Sequence, residues 1–147
     1  MNEQIYYKRQ EKLKSVIADI GLDGILINNL TNIRYICGFT GSAGSCLVTP
    51  SGQYFITDGR YIEQSKEQVK GFERFIDMDT HLNIISKNNL LDSNLKIGFE
   101  ADHVNFTSYE SMTTILSNIH WEKTNMILED LASVKDTTEL DAIRTAV

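Results

Sequence analysis

Proline is nearly absent, with one residue in 147, and cysteine is scarce at two. No biased or repetitive tract appears, which excludes fibrous and low-complexity classes. Nor does any apolar run approach the ~20 residues of a membrane-spanning helix. The opening stretch MNEQIYYKRQEKLK lacks the apolar segment of a signal peptide. The expected location is therefore cytoplasmic, with Cys37 and Cys46 reduced and the Asn29 and Asn105 sequons without meaning. Basic residues are outnumbered, 14 against 20 acidic, for a net charge of −6. That balance argues against a nucleic-acid partner, which demands a basic face. What remains, 41% hydrophobic and 23% charged residues, is the composition of a globular domain.

Periodicity supplies the elements. Leu13, Val16, Ile17 and Ile20 mark one face of a helix over Asn2–Ile20, stopped at Gly21. Gly24–Ile27 reads as a buried strand, and Thr31 as the cap of a short helix over Asn32–Cys37. Ser45–Thr49 and Gln53–Thr57 flank Pro50-Ser51-Gly52, the chemistry of a hairpin. Asp58 is placed to cap a helix over Gly59–Lys70. A strand over Arg74–Met78, a helix over His81–Leu91 and a strand over Lys96–Phe99 follow. Thr107-Ser108-Tyr109-Glu110 has the pattern of a capping box opening a helix towards Leu116. Glu122–Met126 reads as an edge strand, and Asp136–Glu139 as a second capping box whose helix has no stop signal before Val147. That helix suggests a piece of a longer chain. Alternating strands and helices around a hairpin predict an α/β domain, a mixed sheet with helices on both faces.

Several constellations can be weighed chemically. Gly38, Gly41 and Gly44 form a glycine-rich stretch, but it has neither the lysine of a phosphate-binding loop nor a G-x-G step. Ser42 and Ser45 lack the flanking glycines of a hydrolase nucleophile elbow. Glu100, Asp102 and His103 are the densest group of candidate metal ligands, yet one local cluster beside a strand end suits a solvated loop equally well. Cys37 and Cys46 have no nearby base that would make a thiolate. Arg34, Tyr35, Asp58, Arg60 and Tyr61 could form a polar and aromatic rim beside the glycine loop. The alternative is that Asp58 is simply an N-cap with Arg60 as its ion-pair neighbour.

The run Asn32-Ile33-Arg34-Tyr35-Ile36-Cys37-Gly38-Phe39-Thr40-Gly41-Ser42-Ala43-Gly44, followed by Tyr54-Phe55-Ile56-Thr57-Asp58-Gly59-Arg60-Tyr61, resembles one family. It is similar to the N-terminal domain of the Xaa-Pro aminopeptidases and prolidases, the creatinase/prolidase group. Ile97-Gly98-Phe99-Glu100 and Val134–Leu140 fit in order, so the likeness spans essentially the whole chain.

The resemblance implies a ribonuclease H-like domain over residues 1–128. It also implies a linker and first helical turns at 129–147, leading into a C-terminal "pita-bread" metallopeptidase domain. That second domain would hold two divalent ions, manganese or cobalt, on residues downstream of Thr137. The parent would be a hydrolase of the bond before proline, with proline-containing peptides as substrates and a homodimer as its assembly. This chain would carry no catalytic residue, no metal ligand and no cofactor. Its loop Arg34–Ser45, with Arg34, Tyr35, Phe39 and Ser42 foremost, would approach an active site. Gly38, Gly41, Gly44, Asp58, Gly59 and Arg60 would be its structural motif. Other readings the resemblance leaves open are a peptide- or protein-binding module of an inactive homologue, and a creatinase-like hydrolase.

Overall fold

A computed structural model describes residues 3–134. Helix α1 (Glu3–Asp19) buries Ile5, Leu13 and Ile17, and the chain reverses at Gly21, whose φ is 82°. Strand β1 (Gly24–Ile27) leads into α2 (Leu30–Cys37). Strands β2 (Ser45–Thr49) and β3 (Gly52–Thr57) form the expected antiparallel hairpin. A 3-10 turn at Gly59–Tyr61 precedes α3 (Ile62–Gln68), β4 (Glu73–Ile76) and α4 (His81–Lys87). Then come β5 (Lys96–Glu100), α5 (Phe106–Ile115), β6 (His120–Thr124) and α6 (Ile127–Ser133).

The strands form one sheet in the order β4-β3-β2-β1-β5-β6. Only β2 runs against the others. Consequently the carboxyl ends of the parallel strands and the first residue of β2 share one edge. Side chains alternate across the sheet, as a period of two requires. Ile25, Ile27, Cys46, Val48 and Phe55 pack with α1, α2 and Leu128 of α6 on one face. Leu26, Leu47, Ile56 and Ile97 pack with Ile84 and Ile85 of α4 and Leu116 beyond α5 on the other. This is the mixed α/β fold with helices on both faces that the pattern predicts.

Local differences have physical causes. Asn29, not Thr31, caps α2, its Oδ1 accepting from Thr31 N at 2.9 Å and Asn32 N at 3.4 Å. Asn105, not Thr107, caps α5, accepting from Ser108 N at 2.8 Å. Asparagine is as good a cap as threonine, and both helices start earlier than the Thr31 cap and the Thr107–Glu110 capping box suggested. The expected helix over Gly59–Lys70 is shorter and divided: Asp58 caps only the 3-10 turn, and Val69 is already extended. Lys70 N then donates to Cys37 O at 3.0 Å, a bond a continuing helix would forbid. Strand β6 ends at Thr124 because the chain turns at Met126, φ 62°. Helix α6 was not foreseen. The suggested boundary at 128 falls inside it, where Leu128 is buried against α1 and α2. The capping box at Asp136–Glu139 lies outside the described residues.

Candidate functional site

The glycine stretch is a clamped loop. Gly38 ends α2 in the left-handed region, φ 92°, and its N–H donates to Arg34 O at 2.9 Å. A β-carbon there would lie 2.8 Å from Gln68 O, so glycine is required both by conformation and by space. Phe39 plugs the core, its ring 4.7 Å from that of Phe55 and edge-on to Tyr61 at 5.3 Å. Gly41 lies against the Phe39 and Tyr61 rings, where a β-carbon would approach Phe39 Cζ within 2.2 Å, and Gly44 borders Phe55 and Phe39. Thr40 N donates to Gln68 Oε1 at 2.9 Å. Ser42 N donates to the Tyr61 hydroxyl at 3.2 Å, and the two side-chain oxygens also meet. That bond lowers the Tyr61 pKa. Thr57 Oγ1 donates to Ala43 O at 2.6 Å.

The residues suggested for a rim divide into two sets. Asp58 caps Arg60 N at 3.0 Å and receives the guanidinium through Nε at 3.0 Å and a terminal nitrogen at 2.8 Å. The Arg60 contact holds the Asp58 carboxyl down to about 2. The N-cap and ion-pair alternative is therefore the arrangement present, with Gly59 between them in open surroundings. Tyr35 belongs to the helical side instead. Its hydroxyl donates to Leu131 O at 3.3 Å in α6, and the Arg9 guanidinium sits 4.3 Å above its ring. Arg34 projects from α2 and is exposed.

Sequence reading gave little weight to the carboxyl edge of the sheet. Glu100 is 9% exposed, and its Oε1 accepts from Asn28 N at 2.6 Å and Asn29 N at 2.8 Å. Its Oε2 accepts from Asn32 Nδ2 at 2.6 Å, and that amide also reaches Glu129 of α6 at 3.2 Å. Glu100 is thus occupied in joining β5 to the start of α2. Its carboxylate, Asp102 and His103 do not converge, and no group of three or more His, Cys, Asp or Glu suited to a metal occurs among the described residues.

Next along this edge, Asn28 Nδ2 donates to Ser45 Oγ at 3.0 Å, and Ser45 Oγ lies 2.6 Å from His81 Nδ1. Burial lowers the His81 pKa, against a smaller opposing pull from Asp58. The Ser45 oxygen has one hydrogen and two lone pairs, so beside its bond from Asn28 it either donates to Nδ1, with the ring hydrogen on Nε2, or accepts from Nδ1–H. These residues border a cavity of about 610 Å³ between α4 and α5. No local spacing could have revealed the cluster, because Asn28 follows β1, Ser45 opens β2 and His81 opens α4.

Comparison with known proteins decides the family. Residues 9–134 match the family described as the creatinase/prolidase N-terminal domain. The chain belongs to that family. An uncharacterized peptidase, YqhT, of Bacillus subtilis (strain 168) is 35% identical over 137 residues, covering 92% of this chain and 38% of that protein. The structure of an Xaa-Pro dipeptidase from Bacillus anthracis superposes with a TM-score of 0.84 at 31% identity, covering 92% of this chain and 38% of that one. The N-terminal domain of a cytoplasmic peptidase, PepQ, from Mycobacterium tuberculosis H37Rv gives 0.74 at 31% identity, covering 84% and 98%. This creatinase/prolidase-type domain therefore spans about 38% of the length of the first two relatives. No described helix is long and apolar enough to cross a membrane.

Proposed function

We propose that this chain is the N-terminal, non-catalytic domain of a cytoplasmic Xaa-Pro peptidase whose hydrolytic centre lies in a further domain. The observation that carries the reading is the 92% coverage by a dipeptidase structure of which this domain makes up 38%. On this reading the domain shapes access to proline-containing peptides, and the parent is a homodimer. The two divalent ions implied by the family have no ligand set among the described residues, so no catalytic step is assigned to any side chain here. The Xaa-Pro bond lacks an N–H, and recognition must rest on shape and on groups around it.

The segment Arg34–Ser45, which the structure divides into the last turn of α2, a loop over residues 38–44 and the first residue of β2, suits that task. It is braced by Phe39 beneath and by Gln68 and Tyr61 beside, while Arg34 on α2 and Ser42 within the loop stay exposed. A braced wall orders little on substrate binding, which keeps the entropic cost low. In the longer peptidase, Arg34→Ala should raise KM about three- to tenfold with kcat changed less than about twofold. A fall in kcat with KM unchanged would remove Arg34 from the access role.

A further inference from the structure

We propose that the cavity between α4 and α5 is a binding site for a small uncharged molecule that joins an amide-type carbonyl to an apolar group. This inference does not rest on the peptidase reading. The topology places the cavity where ligands enter open α/β sheets, beyond the carboxyl ends of parallel strands at the point where successive connections leave on opposite faces. Strand β1 continues into α2, which packs on one face, and its parallel neighbour β5 continues into α5 on the other. At about 610 Å³ the cavity lies within the range of sites for small molecules.

Its lining specifies the chemistry. Leu26, Ile85, Met112 and Ile115 give an apolar floor. The rim is polar and carries no Asp, Glu, Lys or Arg; its ionisable members among the described residues are the imidazoles of His81 and His103, so above about pH 7.5, where the titration is run, no fixed charge faces the ligand. Ser45, itself bonded by Asn28, holds His81 at Nδ1, and with the Ser45 hydroxyl donating there the ring offers an oriented Nε2–H to a carbonyl oxygen. The hydroxyls of Ser108 and Ser111 line the α5 side and can accept an amide N–H. The arrangement is preorganised, since the imidazole is oriented before any ligand arrives.

The test is a methyl-detected NMR titration of the 147-residue chain with N-acetyl-leucinamide. N-acetyl-leucine and leucinamide serve as charged counterparts with the same apolar group. The uncharged probe should bind saturably, with a Kd on the order of a few millimolar for a ligand of this size. Shift changes should concentrate at the methyls of Leu26, Ile85, Met112 and Ile115. Both charged probes should bind at least about tenfold more weakly. His81→Phe should weaken the uncharged probe about tenfold, as loss of an oriented donor predicts, with partial recovery in His81→Gln. Ser111→Phe should fill the space and abolish binding. If either variant fails to fold, the shift map and charge series of the unmodified chain still decide. No saturable shift, shifts centred on another surface, or equal binding of all probes would overturn the proposal.

Discussion

At the scale of single residues, Glu100 has the greatest structural consequence. Its buried carboxylate accepts from Asn28 N, Asn29 N and the Asn32 side chain, so removing it orphans several donors at once. Glu100→Ala should cost about 2–4 kcal/mol and Asn32→Ala about 1–3 kcal/mol in urea denaturation. A change below about 0.5 kcal/mol for Glu100→Ala would show that water replaces the carboxylate. His81 sets a pH dependence. Its folded-state pKa lies below the ordinary 6.5, so the unfolded ring takes up a proton first as the pH falls. Stability should therefore drop on acidification below about pH 6.5, and Tm measured from about pH 7.5 to 5 should decline less in His81→Gln. Identical slopes would remove His81 as the source. Asp58 acts lower: its stabilisation is present above its unfolded value of 3.8 and fades as the pH approaches about 2.

At the scale of elements, the glycines of the two motifs behave differently. Gly38 has φ 92° and a backbone oxygen where its β-carbon would go, whereas Gly59 has only Met78 Sδ at 3.7 Å. Gly38→Ala should destabilise by about 1–3 kcal/mol and Gly59→Ala by less than about 0.5 kcal/mol, read from thermal or urea unfolding. Equal costs would contradict the separation. The sequence motifs made these two glycines look alike, because a dipeptide pattern carries no φ. Strand identities were legible for the opposite reason. Gly24–Ile27 and Ser45–Thr49 are short apolar runs bounded by turn residues, and burial on both faces demands that composition. Helix starts were less legible: Asn29 and Thr31, or Asn105 and Thr107, are chemically equivalent caps until tertiary packing chooses between them. Helix α6 escaped notice since Ile127–Ser133 is a short turn of helix whose stability comes from Leu128 docking on α1 and α2.

At the scale of the whole molecule, the sheet assembles what the chain keeps apart. Ser45 and His81 are 36 residues apart, and Asn32 and Glu100 are 68 apart, yet each pair is hydrogen-bonded at the carboxyl edge. The family was readable from ordered motifs, and those motifs turn out to serve the fold: Phe39 and the glycines pack, Asp58 caps, and Asn32 meets Glu100. Chemistry was less readable, since the polar edge is a tertiary construction without local spacing. We propose that this domain assists a hydrolysis performed elsewhere in a longer peptidase. Its most direct test is release of proline from Ala-Pro and Ala-Pro-Ala by the purified 147-residue chain and by the longer protein, each with manganese or cobalt added. Turnover by the longer protein alone is expected; metal-dependent turnover by the 147 residues themselves would place the hydrolytic centre in this domain.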